Sequence, residues 1–128
     1  MNILIIDATN VEIFLMIIKD KNIYNITYNN SKTNYEKLSI LISDFLKSTK
    51  LNIDDISKIY VNRGPGSFAG IRNSLATVKA IHTAKKIDYY CYSFKDFSKK
   101  NDCKYENIPK LCDKFNIKKN LINPIYLS

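Results

Sequence analysis

The residues whose types and spacing could support chemistry are concentrated in one stretch, residues 63–72. It contains every glycine of the chain, Gly64, Gly66 and Gly70, and both of its arginines. Using all the glycine here indicates that the backbone needs unusual conformations, or a close approach to another backbone, at this point. A glycine-rich turn between a strand and a helix also points several N–H groups one way, so it could bind an anion or dock a partner.

The glycine spacing matches neither of two common phosphate-binding motifs. A dinucleotide fingerprint needs its third glycine at position 69, which is alanine, and a P-loop needs a lysine after its last glycine. Ser67 does not lie in a nucleophile elbow. The sole histidine, His82, falls within the helical pattern that follows. A packed helix residue is a more common role for such a histidine than a catalytic base.

Asp7 ends the first apolar run of the chain. Nucleotide-binding folds often place an acid that faces a phosphate or a metal at such a strand end, and a capping role fits a lone carboxylate equally well. The three cysteines, Cys91, Cys103 and Cys112, form no Cys-x-x-Cys pair, so we expect no metal site and a reducing compartment. With no paired acids and no Cys–His dyad, the residues favour a binding module, without a cofactor, over an enzyme.

Hydrophobic periodicity predicts the elements that position these residues. Two apolar runs and one alternating run suit three antiparallel strands joined by tight turns. Two helices then alternate with two further strands, and a polar, loop-like stretch over 99–107 leads to a short helix. We therefore predict an α/β fold with a mixed five-stranded sheet in the sequence order β-β-β-α-β-α-β. The predicted ranges are 2–7, 12–19, 22–28, 58–61 and 88–93 for the strands, and 34–49, 68–86 and 108–115 for the helices.

The helix predicted over 68–86 has two unlike sides. Its bulky side suits packing on a sheet, and its small side would let a second helix come unusually close. Alanines are also good helix formers that can simply face water, and the pattern alone leaves both interpretations open. The bulky side holds Ile71, Leu75, Val78 and His82, and the small side holds Ala69, Asn73, Ala76, Ala80 and Thr83.

The composition suits one globular domain of 128 residues with a net charge of +8. Most of the cations are lysines, and positive charge is denser over 98–128 than over 1–97. No aromatic ladder accompanies them, so a solvated tail is favoured over a nucleic-acid patch. The N-terminal apolar run is too short for a signal peptide and no stretch could span a bilayer. We expect a cytoplasmic protein without a membrane partner.

The glycine stretch and the order of the elements resemble the TsaB (YeaZ) family. The loop of that family reads G-x-G-P-G-S-[FY]-T-G-[LIV]-R. This chain departs from it at Asn62, where glycine is usual, and at Ala69, where threonine is usual. The first strand also differs, because Ala8 replaces a hydroxyl residue. The positions that match are Gly64, Pro65, Gly66, Ser67, Phe68, Gly70, Ile71 and Arg72, with Arg63 between them and the strand.

The resemblance covers residues 1 to about 97, and the closing stretch 124–127 is similar to the end of family members. Those members are longer and carry a second domain. The resemblance therefore implies an N-terminal domain over 1–97, followed over 98–128 by a lysine-rich loop and a C-terminal segment, the remnant of a reduced second domain.

TsaB proteins have an actin- and Hsp70-like fold (ASKHA, ribonuclease H-like) and are non-catalytic subunits in making N6-threonylcarbamoyladenosine (t6A) at position 37 of tRNA. The resemblance implies pairing with a TsaD-type catalytic subunit through helices 34–49 and 68–86, with the small side of the second helix at the interface. It also implies a TsaE-type ATPase as a further partner and indirect contact with tRNA. The same face could form a homodimer in isolation.

Two other functions remain open from the sequence. A small ATP-binding enzyme of the same superfamily would place Asp7, as a vestigial or working nucleotide site, and residues 64–70 at the phosphates. A direct tRNA-binding accessory protein would instead neutralise phosphates with tail lysines and show a steep dependence of RNA affinity on salt. Those lysines are Lys99, Lys100, Lys118 and Lys119.

Overall fold

A computed structural model describes residues 1–98 and 103–126 of the chain. It confirms the mixed five-stranded sheet, whose spatial order is β3-β2-β1-β4-β5. The first three strands pair antiparallel, and β4 and β5 join them in parallel. The strands are β1 (Asn2–Asp7), β2 (Glu12–Lys19), β3 (Asn22–Asn29), β4 (Lys58–Asn62) and β5 (Asp88–Tyr92).

The helices are α1 (Lys32–Tyr35), α2 (Leu38–Ser48), α3 (Phe68–Lys85) and α4 (Ile108–Lys114). The single helix predicted over 34–49 is wrong, because the chain leaves helical geometry at Lys37 between α1 and α2. The apolar periodicity begins only at Leu38, so the residues before it have no buried face that would continue α2. The Asn34 amide instead donates to the Asn29 carbonyl at 2.8 Å, which ties α1 to the end of β3.

The other boundaries shift by a residue for local reasons. Helix α3 ends at Lys85 because Lys86 adopts a left-handed conformation with φ 60°. Strand β5 ends at Tyr92 because Ser93 caps a 3-10 turn and accepts a hydrogen bond from the Lys95 N–H. These ends therefore follow from single cap residues.

The core lies on both faces of the sheet. The buried side chains form two clusters, one on each face, since successive residues of a strand point to opposite faces of the sheet. In β1, Leu4 and Ile6 pack with α2 and α3, whereas Ile5 packs with α4. This explains why β1 reads as a continuous apolar run.

The C-terminal part also covers one edge of the sheet. Lys119 forms a bridge to Tyr90 of β5. The Asn120 N–H donates to the Tyr89 carbonyl at 2.7 Å, and the Tyr89 N–H donates to the Asn120 side-chain oxygen at 2.9 Å. A single asparagine therefore satisfies both backbone groups of an edge residue that would otherwise be open to strand pairing. Lys99 and Lys100 of the predicted lysine-rich loop lie outside the described residues.

Among the described helices, none is both long enough and apolar enough to cross a membrane.

Candidate functional site

The glycine loop between β4 and α3 is packed against the turn that follows β1. Ser67 is the N-cap of α3, and its hydroxyl accepts a hydrogen bond from the Gly70 N–H at 3.2 Å. The Ser67 N–H donates to the Thr9 carbonyl at 2.8 Å. A Cβ on Gly70 would overlap the carbonyl oxygen of Ala8. At Gly70, the first turn of α3 therefore approaches another stretch of backbone too closely for any residue with a side chain.

The start of the loop contacts the C-terminal part of the chain. Gly64 has a φ of +114°, and a Cβ there would overlap the Ile125 carbonyl oxygen. The Ile125 N–H donates to the Arg63 carbonyl at 2.7 Å. The Arg63 guanidinium forms an ion pair with Asp96 at 2.6 Å and donates to the Asn123 carbonyl at 3.0 Å. Arg63 is thus engaged inside the fold, since its side chain is only 16% exposed.

The end of the motif lies on the surface. Phe68 is exposed, and its ring centroid lies 4.6 Å from that of Tyr126. The Arg72 guanidinium carbon lies 5.7 Å from the Phe68 ring, which is cation–π geometry. The motif residues are therefore divided between internal contacts at Arg63 and a surface platform at Phe68 and Arg72.

Asp7 lies at the end of β1 and is only 1% exposed. Its Oδ1 accepts hydrogen bonds from the Thr9 N–H at 2.9 Å and the Thr9 hydroxyl at 2.6 Å. Its Oδ2 accepts from the Asn62 amide at 3.0 Å and from the Tyr105 hydroxyl at 2.6 Å. We call these four residues and the small cavity beside them the Asp7 pocket.

Sequence reasoning missed two members of this pocket. Asn62 was noted only as a departure from the family loop, yet its amide joins Asp7 to the loop, because its oxygen accepts from the Gly64 N–H at 2.9 Å. Tyr105 falls in a stretch that we expected to be polar and loop-like. Burial, together with the negative charge and the hydrogen bond of Asp7, raises the pKa of Tyr105, so its hydroxyl remains a neutral donor.

The remaining candidates for chemistry are packed side chains. His82 Nδ1 lies 2.8 Å from the Ile87 carbonyl oxygen, and its ring meets the Tyr89 ring edge-on. Burial raises the pKa of the Cys91 thiol to about 11 and that of the Cys112 thiol to about 12. Over residues 1–98 and 103–126, no three His, Cys, Asp or Glu side chains are grouped so that they could hold a metal ion.

Helix α3 buries its bulky side on the sheet, as predicted, since Ile71, Leu75 and Val78 are buried. The opposite side is open: Ala76 and Ala80 are exposed on the surface. Between this side and α2 runs an open cavity of about 450 Å³, which we call the helix groove. Its lining residues are Tyr35, Glu36, Leu38, Ser39, Ile53, Asn73, Ala76, Thr77, Ala80, Ile81, Ala84 and Lys85.

The structure brings three of the five predicted interface residues into the helix groove, namely Asn73, Ala76 and Ala80. Ala69 is half-buried near the start of α3, where its carbonyl accepts from the Asn73 amide at 2.8 Å. Thr83 is exposed but does not line the groove, and its hydroxyl donates to the Lys79 carbonyl at 3.0 Å. Ala84, which sequence analysis did not select, completes the row of alanines.

With this geometry in place, comparison with known proteins is informative. A family model described as "TsaD: tRNA N6-adenosine threonylcarbamoyltransferase" matches residues 25–93, more than half of the chain. The chain belongs to this family, as a TsaB (YeaZ)-type member. The curated "tRNA threonylcarbamoyladenosine biosynthesis protein TsaB" of Buchnera aphidicola subsp. Schizaphis graminum is 28% identical over 88 residues. That alignment covers 69% of this chain and 42% of the relative, so the chain spans less than half of the relative's length.

Solved structures agree on the fold. YeaZ from Pseudomonas aeruginosa superposes with a TM-score of 0.66 at 17% identity, over 72% of this chain and 43% of that one. Thermus thermophilus RuvC superposes with a TM-score of 0.51 at 11% identity, over 92% of this chain and 82% of RuvC. The predicted ASKHA, ribonuclease H-like α/β fold is therefore confirmed.

Proposed function

We propose that this chain is a non-catalytic subunit in the synthesis of t6A on tRNA, and that it pairs with a TsaD-type catalytic subunit through the helix groove. Membership of the family supports the pathway. The main support for the non-catalytic role is that one set of residues is open to a partner and the other is not. The alanines of α3 are exposed in an open groove, whereas the Asp7 carboxylate is enclosed by internal hydrogen bonds.

The shape of the helix groove suits a partner helix. Its floor carries Ala76, Ala80 and Ala84, each of which projects a single methyl group. Small side chains let two helix backbones approach closely, and the bulky residues of one helix can then fill the spaces of the other. Tyr35 and Ile53, which are half-buried, supply apolar surface in the same groove. Desolvating this surface would favour association.

Charged residues are also placed where they could orient the partner. Glu36 and Lys85 are both exposed and both line the groove. Lys85 also pairs with Asp54 at 3.1 Å, so part of its charge is already compensated. Charges around an apolar interface steer association and fix its register more than they add affinity.

Several partners follow from the same proposal. The catalytic subunit would supply the chemistry and most of the tRNA contact, so tRNA reaches this chain indirectly. A TsaE-type ATPase would join the complex, which acts in the cytoplasm. Without the catalytic subunit, a second copy of this chain would cover the helix groove and form a homodimer, because an exposed apolar face tends to associate.

The test is co-purification with the TsaD-type subunit of the same cell after replacing Ala76→Arg or Ala80→Arg. Both positions are exposed, so the fold should tolerate arginine, while its bulk and charge would block a close helix. Asn25→Arg is the matched control, because Asn25 is exposed and lies on the face of the sheet opposite α2 and α3. It pairs in register with Met16, whose side chain packs in the cluster that contains α4. We expect the two groove variants to lose the partner and the control to retain it. Retention by folded groove variants would contradict the proposal.

A further inference from the structure

The fold family implies a nucleotide with its metal ion near the end of β1, but the residues of the Asp7 pocket do not fit one. An ionised carboxylate offers about four lone-pair positions on its two oxygens. Asp7 already accepts four hydrogen bonds, two on each oxygen. A cation could bind an oxygen of Asp7 only by displacing one of these donors. Mg²⁺ prefers oxygen ligands in near-octahedral geometry, and within the described residues Asp7 belongs to no group of three or more His, Cys, Asp or Glu side chains that could hold a metal ion.

Tyr105 is held in the pocket by more than its hydroxyl. Its ring stacks on Phe14 with centroids 4.2 Å apart and an interplanar angle of 23°. The Phe94 ring meets it edge-on at 5.8 Å. Phe14 belongs to β2 and Phe94 follows β5, so the ring is fixed from two sides. A side chain packed in this way is a stable occupant of the pocket.

The space left beside Asp7 is small. The remaining cavity is about 260 Å³, and Pro65, Phe94 and Lys95 contribute to its lining. Pockets that bind small molecules and cofactors usually enclose about 300–1,000 Å³. This cavity alone lies below that range, and a second, open cavity of about 490 Å³ shares Thr9 and Asn10 with it, so the fully bonded Asp7 carboxylate, and not the volume, disfavours a nucleotide.

Tyr105 is one of several anchors on the C-terminal part of the chain. We call residues 103–126 the closing segment. It is also held by Asn120 on the edge of β5, by Phe115, whose ring lies 5.7 Å from Phe97, and by Asn123 on the Arg63 guanidinium. These contacts distribute along the whole segment, and Tyr105 is the one that reaches the acid at the end of β1.

We propose that the closing segment fills the binding capacity of the Asp7 pocket, with the Tyr105 hydroxyl bound to an Asp7 oxygen that a metal ion would need. The acid then serves to fasten the closing segment to the sheet, and the pocket binds no metal–nucleotide. This role is separate from the pairing proposed for the helix groove, so either can fail without the other.

Hydrogen–deuterium exchange on the full chain tests the fastening. Tyr105→Phe keeps the ring on Phe14 but removes one of the four donors to Asp7, and losing a hydrogen bond to a buried carboxylate is costly. We expect amide exchange over residues 105–115 to become at least about tenfold faster, while exchange in β1 and α3 changes little. Tyr24→Phe is the control, since Tyr24 is an exposed tyrosine on β3. It should leave the exchange of the closing segment unchanged.

Calorimetric titration of the unaltered chain with Mg²⁺ alone, and with Mg²⁺ and ATP, tests the second half of the proposal. We expect no binding at millimolar concentrations of either. A melting curve on Tyr105→Phe shows whether the variant is folded, and Asn62→Ala is a control that removes a donor from the same oxygen of Asp7 but keeps the bond to the closing segment. The proposal is overturned if folded Tyr105→Phe exchanges like the unaltered chain, or if the unaltered chain binds Mg²⁺ alone or Mg²⁺ with ATP.

Discussion

In the helix groove, Ala76 and Ala80 are exposed side chains with no polar atoms, whereas in the Asp7 pocket a carboxylate with four donors is almost completely buried. The pocket contains Asp7, which the sequence offers as a candidate for chemistry, whereas the groove contains alanines, which have no reactive group. A side chain can bind a ligand or a partner only if its polar groups or its apolar surface are not already paired within the fold. In this fold, the carboxylate at the end of β1 is hydrogen-bonded within the protein, whereas the small apolar side chains of α3 remain exposed.

Among the internal contacts near the Asp7 pocket, we expect the largest effect from a substitution at Gly70. In Gly70→Ala, the new methyl would overlap the Ala8 carbonyl, so one of two backbones must move. We expect the free energy of unfolding to fall by about 3 kcal/mol, measured by urea denaturation. Ala76→Gly on the exposed side of the same helix should cost only about 1 kcal/mol. Equal effects would show that the loop does not pack as described.

The ion pair of Arg63 supplies the next largest effect. Asp96→Asn removes the charge opposite a guanidinium that is only 16% exposed, and we expect a loss of about 2 kcal/mol in unfolding free energy. Asp54→Asn is the matched change in an exposed pair with Lys85, where we expect about 0.5 kcal/mol or less. A larger loss at Asp54 than at Asp96 would contradict the internal role assigned to Arg63.

Thiol reactivity supplies the mildest test. Because burial raises the pKa values of Cys91 and Cys112 to about 11 and about 12, their thiolate fraction at pH 8 is about one in a thousand or less. We expect iodoacetamide at that pH to label Cys103, which is exposed, much faster than the other two. Mass spectrometry of the labelled chain measures this order. Rapid labelling of Cys112 would show that α4 does not stay packed on the sheet.

Local pattern was sufficient to predict much of the fold. Periodicity predicted strands β1 and β2 with their observed bounds, because their apolar runs end at Asp7 and Lys19. It also predicted which side of α3 would be buried. It joined α1 to α2 because the break at Lys37 depends on where α1 is tied to β3, and that contact is not local to the helix.

The polar contacts could not be predicted in the same way. Tyr105 is 98 residues from Asp7 in the chain, so their hydrogen bond depends on the path of the closing segment across the sheet. Asn62 carried a weak signal, as an unusual residue in the loop, but its contact with Asp7, 55 residues away, depends on the parallel pairing of β1 and β4. Sequence spacing alone does not show which donors a buried acid will meet.

The most direct test of the account is the affinity of the TsaD-type subunit for two variants, measured by calorimetry against the unaltered chain. Ala80→Arg alters the helix groove, and Tyr105→Phe alters the Asp7 pocket. The account predicts that Ala80→Arg weakens binding by at least about a hundredfold and that Tyr105→Phe binds as the unaltered chain does. The reverse result, with binding lost only in Tyr105→Phe, would contradict it.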